Sequence, residues 1–226
     1  TSADNQRTIR ITSEVEPAGS LKVIANFALT GHMAYAYRRW LGTKTPDDRE
    51  EAIRGLVSAA SPKAEMDDFV LKGLEDPDAP MELVLTYHVP NHAQLMQDKM
   101  ILKLDALIHH TRCPVCSYPT TARRENPVWF PFDRLDEMDV TVTFPTGFLL
   151  QALPKGFRTR HIEKGTAVGV QTSYGSDGGK NLRVLRKFSV NETLVGKDGY
   201  DALKKLIKTY LAQKDTLITL ELPKMD

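Results

Sequence analysis

The stretch IRITSEVEPAGSLKVIANFALTG, from Ile9 to Gly31, carries the pattern that decides the fold. Apolar residues recur at every second position on both sides of a turn at Pro17-Ala-Gly-Ser20. Ile9, Ile11 and Val15 share one face of the first run, and the alternate residues of Leu21–Leu29 share one face of the second. Because successive side chains of a strand point to opposite faces, this pattern predicts a β-hairpin with one apolar and one polar face, which ends at Gly31.

The same alternation recurs along the rest of the chain. It predicts strands at 66–71, 81–89, 100–106, 140–144, 157–162, 167–174, 182–190 and 218–222. Lys164-Gly165 and the Gly175–Gly179 stretch are typical of hairpin turns. A glycine-rich stretch can also cradle phosphate, but that role needs a strand on one side and a helix on the other, so we expect a turn.

Three segments have helical spacing. Met33, Tyr37 and Leu41 form one apolar stripe, and Tyr200–Leu211 carries another. Between them, Thr45-Pro46-Asp47-Asp48 is a typical helix start, because threonine accepts from free N–H groups and the acids suit the helix dipole. Pro62 is expected to end this helix.

These elements predict a β-rich α+β protein with antiparallel sheets or a β-sandwich and a few packed helices. We expect two domains: a strand-strand-helix-helix-strand unit at 1–108 and a β-sandwich-like unit with a C-terminal helix at 127–226. Residues 109–126 lack sustained periodicity and are predicted to link the two. Net charge supports the division, being −4 over residues 1–108 and +5 over residues 109–226.

Composition limits the functional classes. The 226 residues carry a formal net charge of +1, which gives no case for a nucleic-acid partner. No stretch approaches the about 20 apolar residues of a membrane-spanning helix, and no signal peptide is recognisable. Hydrophobic residues make up 41% of the chain, so a packed globular core is expected.

The segment HHTRCPVCSYP, from His109 to Pro119, contains both cysteines. His109, Cys113 and Cys116 are candidate zinc ligands, although the Cys-x-x-Cys spacing supplies only half of a four-ligand structural site. A redox motif or a Cys116 nucleophile with His161 as base are further alternatives. The alternative we favour is an interdomain loop whose thiols are free or joined in a local disulfide.

Other polar groups are expected to be solvated. A surface site at His88 and His92 is conceivable, and calcium could bind the acidic cluster Asp133, Asp136, Glu137 and Asp139, which lacks the spacing of an EF-hand loop. A small basic patch is expected at Lys180, Arg183, Arg186 and Lys187, without the aromatic platform that nucleic-acid binding needs. Trp40 and Trp129 fit a core stripe or a strand, but they leave a carbohydrate-binding β-sandwich module as an alternative.

The order of features resembles a known protein family. The segments that carry the resemblance are GSLKVIANFALTGHMAYAYRRWL (19–41), ENPVWFPF (125–132), VTVTFPTGFLLQALP (140–154), LRVLRKFSV (182–190) and YDALKKLIKTYL (200–211). Together they resemble the region C-terminal to the papain-like core in bacterial transglutaminase-like proteins with flanking domains of unknown function. The resemblance covers nearly the whole chain.

The resemblance implies a non-catalytic fragment. In that family the catalytic Cys, His and Asp lie in the core domain, which is not recognisable here, so no catalytic residue is carried over. It implies a periplasmic or secreted parent protein. It also implies that the region packs beside the transglutaminase-like core of the same parent chain or contacts a cell-envelope protein or glycan. No cofactor is expected, apart from zinc if the Cys113–Cys116 segment binds it.

Overall fold

The computed structural model describes residues 2–108, 121–163 and 166–222. The strands are β1 (Gln6–Val15), β2 (Leu21–Leu29), β3 (Glu65–Lys72), β4 (Met81–Val89), β5 (Gln94–Met96), β6 (Lys99–Lys103), β7 (Val128–Trp129), β8 (Arg134–Thr143), β9 (Leu149–Leu150), β10 (Phe157–Glu163), β11 (Thr166–Gly175), β12 (Asn181–Val190), β13 (Leu194–Val195) and β14 (Leu217–Glu221). The helices are α1 (Gly31–Gly42), α2 (Pro46–Ala60), α3 (Asp105–Ile108) and α4 (Tyr200–Ala212).

Eight strands form one large sheet in the order β10-β11-β12-β8-β1-β2-β4-β3. All neighbours in this sheet are antiparallel except β1 and β8, which are parallel. A four-stranded sheet has the order β5-β6-β14-β9, and β7 pairs with β13. The predicted β-rich class with antiparallel sheets and a few helices is confirmed, and the parallel pair makes the large sheet mixed.

The predicted hairpin at Ile9–Leu29 is confirmed, with Ile11 opposite Ala25 in the β1–β2 register. The start of α2 is also confirmed, because the Asp48 N–H donates to Thr45 Oγ1 at 3.2 Å. Two strand boundaries are wrong. The strand predicted at 100–106 ends at Lys103, where the chain turns into α3, and the strand predicted at 140–144 begins six residues earlier, at Arg134.

Among the described residues, only one face of the large sheet is covered by other elements. This inner face packs against α1, α2, α3 and the four-stranded sheet in a larger apolar core, and against α4 in a smaller one. Alternate residues point to the opposite outer face, which carries mostly exposed polar side chains. An antiparallel sheet tolerates this arrangement, because each strand can present an apolar and a polar side.

Four buried charged residues lie on the inner face between the two cores. On β12, Val184 belongs to the larger core and Phe188 to the smaller one, and Arg186 stands between them. Arg7 occupies a similar position on β1, and Arg134 and Asp136 do so on β8. We call these four residues the buried arginine cluster.

Strands on both sides of the predicted 109–126 linker belong to the large sheet. The parallel pair joins β1, from the 1–108 unit, to β8, from the 127–226 unit. The larger core likewise contains residues of both units, such as Ile11 and Val140. Independent folding of the two units stays a prediction, as does the linker, of which residues 109–120 lie outside the described ranges.

Candidate interaction surface

The outer face of the large sheet is a broad uncovered surface in the described part of the chain. Seven spacings of about 4.8 Å between strands and about 3.3 Å per residue along a nine-residue strand give about 34 by 30 Å, or roughly 1,000 Å². A standard protein interface buries about 800 Å² on each partner. The outer face is therefore large enough to hold a folded domain.

On one half of the outer face, ion pairs join the neighbouring strands β8 and β12. Arg183 on β12 donates twice to the Asp139 carboxylate on β8, at 2.9 and 2.7 Å. Lys187 donates to Glu137 at 2.8 Å across the same strand pair. The hydrogen bond and the charge of Asp139 raise the pKa of Arg183 above its usual value. These pairs bound a shallow cavity of about 320 Å³.

The other half carries a histidine between two carboxylates. His88 Nδ1 lies 2.8 Å from Asp67 Oδ1, and its Nε2 lies 3.4 Å from Glu65 Oε2. The pairing of β3 with β4 shifts by one residue between Met66 and Asp68. Asp67 is the extra residue of this bulge, which explains how two carboxylates of β3 reach one histidine. Beside them lies a cavity of about 760 Å³ that reaches Glu14 and Lys22.

Exposed apolar side chains stand among these charges. Ile24 on β2 is 52% exposed, Val70 on β3 is 44% exposed and Leu185 on β12 is 41% exposed. Threonines 12, 86 and 141 lie on the same face. A surface that mixes isolated apolar groups with paired charges resembles the composition of non-obligate protein interfaces.

The structure places some of the expected surface residues on the outer face and others elsewhere. His88 lies on the outer face, but His92 Nε2 is bound to the Lys103 carbonyl at 2.8 Å, so the pair forms no common site. Of the acidic cluster, Glu137 and Asp139 face outward, whereas Asp136 is buried. The described residues include no group of three His, Cys, Asp or Glu side chains placed to hold a metal ion.

The expected basic patch is wrong at one residue. Arg186 is 5% exposed and points to the inner face, where it donates to the Tyr210 carbonyl at 2.8 Å and stacks 4.0 Å above the Tyr210 ring. Arg183 and Lys187 remain on the outer face, because alternate residues of a strand point to opposite sides. The sequence feature that indicates the burial of Arg186 is its position within the apolar period-two alternation of Leu182–Val190.

The buried arginine cluster was missed from sequence. Arg7 Nε donates to Asp136 Oδ1 at 2.8 Å, and Arg134 Nε donates to Asp136 Oδ2 at 2.7 Å. Burial lowers the pKa of Arg134, and Asp136 only partly offsets that effect. The extension of the Ile9–Ile11 alternation back to Arg7, and of the Val140–Val142 alternation back to Asp136, could have revealed both positions.

The zinc candidates His109, Cys113 and Cys116 lie outside the described residues, so the metal site stays a prediction. The side chain of His161 is likewise not described. Trp40 is half-buried and packs edge-on against Tyr37 at 5.7 Å, whereas Trp129 on β7 is exposed. The two tryptophans thus lie on a helix and on a strand outside the large sheet, and do not share a sheet face.

None of the helices in the described ranges combines the length and the apolar composition needed to cross a membrane.

Comparison with known proteins gives a matching family and similar solved structures. The model of the family described as "Domain of Unknown Function with solved-structure structure (DUF3858)" matches residues 99–220, more than half of the chain. A crystal structure described as a "putative protease" from Parabacteroides distasonis ATCC 8503 is 17% identical, with a TM-score of 0.42. The match covers 57% of this chain and 24% of that one, so this chain spans about a quarter of that protein's length. No curated protein matches this chain.

Proposed function

This chain belongs to the DUF3858 family, and we propose that it is a non-catalytic ancillary region that positions a larger enzyme. In this proposal it packs beside a transglutaminase-like or peptidase-like core of the same parent chain, as the sequence resemblance implies. The parent protein would be periplasmic or secreted, and a cell-envelope protein or glycan would be a further partner.

The observation that carries the proposal is the uncovered outer face. Its roughly 1,000 Å² match the area that one partner buries in a standard interface. The ion pairs Arg183–Asp139 and Lys187–Glu137 already neutralise four charges of this face, so a partner can cover these four groups without leaving any of them unpaired. Ile24, near the middle of the sheet, offers an apolar contact for such a partner.

Binding between this chain and the separately expressed core of its parent protein tests the proposal. Ile24→Arg places a charge at the centre of the outer face, and we expect it to weaken binding at least ten-fold in isothermal titration calorimetry. Lys208→Glu, on the exposed side of α4, is the control and should leave the affinity unchanged. Both side chains are exposed, so neither change should disturb folding.

Two results would contradict the proposal. Equal affinities for Ile24→Arg and the unmodified chain would exclude the outer face as the contact. Hydrolysis or cross-linking of peptides by this chain alone, lost on Cys113→Ser or Cys116→Ser substitution, would show that the region is itself catalytic.

A further inference from the structure

A groove runs along the inner-face side of β3, at the free edge of the large sheet. Among the described residues, β3 has a single strand neighbour, β4. The groove has a volume of about 510 Å³ and lies between β3, the loop that follows it and the beginning of α2. We call this region the acidic edge groove, and its lining includes Pro46, Phe69, Leu71, Leu74, Glu75 and Asp76.

The floor of the acidic edge groove is apolar. Phe69 and Leu71 point to the inner face of β3, and Leu74 follows in the loop. All three are only partly buried and pack against the larger core from one side. Their remaining surface lines the groove, where it could accept apolar side chains of a bound segment.

The rim of the groove is strongly negative. Residues 45–82 contain eleven acidic and four basic residues, a net charge of −7 in a chain whose total is +1. Glu75 and Asp76 line the groove directly. Arg49 also lines it, but its guanidinium donates to the Leu41 and Lys44 carbonyls at 3.2 and 3.3 Å. Two of its N–H groups are thus already used within the protein.

The wall of the groove is held in place from α1. Arg38 donates to the carbonyls of Gly73 at 2.9 Å and Pro77 at 3.2 Å, and also to that of Ala79. Gly73 has a φ of +69°, and a Cβ atom there would lie 2.2 Å from the Pro80 carbonyl oxygen. A loop fixed by one guanidinium loses little conformational freedom when a ligand binds, which favours recognition.

We propose that the acidic edge groove binds an extended segment of a partner protein in which apolar residues alternate with Lys or Arg. The segment adds to the free edge of β3 as a further strand, with main-chain hydrogen bonds to Leu71, because the N–H and C=O groups of Val70 and Lys72 point towards β4.

Alternate side chains of an added strand point to opposite faces. Its apolar residues therefore enter the groove over Phe69 and Leu71, while its basic residues point to the outer face, where Asp68 is exposed. Glu75 and Asp76, in the loop beyond the edge, attract these basic residues at longer range.

The bulge limits where the added strand can pair. The Asp68 carboxylate accepts from the Phe69 N–H at 2.8 Å, which occupies this amide next to the register shift. Bulges and charged side chains commonly protect sheet edges from unspecific pairing. The edge beyond Phe69 is therefore the part at which a partner strand should pair, and it adjoins the apolar floor.

Fluorescence anisotropy with a labelled ten-residue peptide of alternating Val and Lys tests the proposal on the full chain. We expect saturable binding that weakens as salt is added, and at least ten-fold weaker binding of a Val/Glu peptide. Glu75→Lys with Asp76→Lys should weaken binding of the Val/Lys peptide at least ten-fold. Glu125→Lys with Glu192→Lys changes net charge equally at exposed sites elsewhere, and should change the affinity less than two-fold.

A second pair of variants tests the main-chain contact. Leu71→Pro removes an N–H at the edge, whereas Leu71→Val keeps it and retains an apolar side chain. We expect only the proline variant to lose binding at least ten-fold, with both variants giving the circular dichroism spectrum of the unmodified chain. If proline changes the spectrum, Leu74→Asp, which places a charge on the apolar floor, replaces it with the same expected loss.

Three outcomes would overturn the proposal. Equal loss of affinity in both double-charge variants would mean unspecific attraction to the whole molecule. Equal binding of the Val/Lys and Val/Glu peptides would remove the role of the acidic rim. Concentration-dependent association of the chain with itself, abolished by Glu75→Lys with Asp76→Lys, would identify a second copy of this chain as the occupant.

Discussion

Strand β8 carries ion pairs on both of its faces, and the pairs differ in how far they are exposed to water. On the inner face, Asp136 is 5% exposed and lies between Arg7 and Arg134. On the outer face, Asp139 meets Arg183 in a bidentate contact that remains open to water. Both are carboxylate–guanidinium pairs at normal hydrogen-bonding distance, and they are three residues apart in the chain.

The two pairs differ in how much the free energy of unfolding falls when each of them is broken. Water screens the Asp139–Arg183 pair, so its net contribution to stability is small. Asp136 has been removed from water together with Arg7 and Arg134, and its loss would leave two buried cations side by side. The inner pair also fixes the register of β1 against β8, because a slip by one residue would move Asp136 to the outer face. The inner face therefore holds the fold together, whereas the outer-face pair contributes little to stability.

The largest expected effect concerns the continuity of the inner face across the predicted domain boundary. Separate expression of residues 1–108 and 127–226 should give two chains without a cooperative urea transition, because β1 loses β8 and Arg7 loses Asp136. Mixing the fragments should restore part of the native circular dichroism spectrum. Cooperative unfolding of each fragment alone would instead support two independent domains.

The next prediction compares two carboxylates of β8, Asp136 and Asp139. Asp136→Asn should lower the free energy of unfolding by about 3–5 kcal/mol, because the buried guanidiniums of Arg7 and Arg134 lose their counter-charge. Asp139→Asn, the matched change on the outer face, should lower it by only a small fraction of that amount. Urea denaturation of both variants measures the difference, and similar losses would refute the division of labour between the faces.

Sequence periodicity predicted the elements whose buried faces are mainly apolar. The β1–β2 hairpin, β4, β12 and α4 were all found close to their predicted positions. The capped start of α2 was predicted for the same reason, since Thr45 and the residues after it follow local rules. Such features depend on neighbours in the chain, and a single sequence contains that information.

The features that were missed depend on partners distant in the chain. The first six residues of β8 were not predicted, because Arg134 and Asp136 interrupt the apolar alternation, and the distant partner of Asp136 is Arg7, more than 120 residues away. Asp67 reaches His88 only through the bulge in β3. The outer face could not be predicted as one surface, because the strand order of the sheet is not visible in the sequence.

The smallest expected effect concerns two adjacent residues of β12, Arg186 and Lys187. Arg186 points inward and donates to the Tyr210 carbonyl at 2.8 Å, whereas Lys187 points outward to Glu137. Arg186→Met should lower the free energy of unfolding by about 1–2 kcal/mol, since two hydrogen bonds, to the Tyr210 and Ile108 carbonyls, and a cation–π contact are lost while methionine refills the apolar space.

The loss should stay below that of Asp136→Asn for two reasons. Removal of Arg186 leaves no buried cation without its counter-charge, and its Nε is a buried donor without a partner among the described residues. Lys187→Met, the control one residue away, should leave the free energy of unfolding nearly unchanged. A larger loss from Lys187→Met than from Arg186→Met, measured by the same urea titration, would mean that the outer-face charges stabilise the sheet after all. The outer face would then be part of the folded framework and not a surface kept free for a partner.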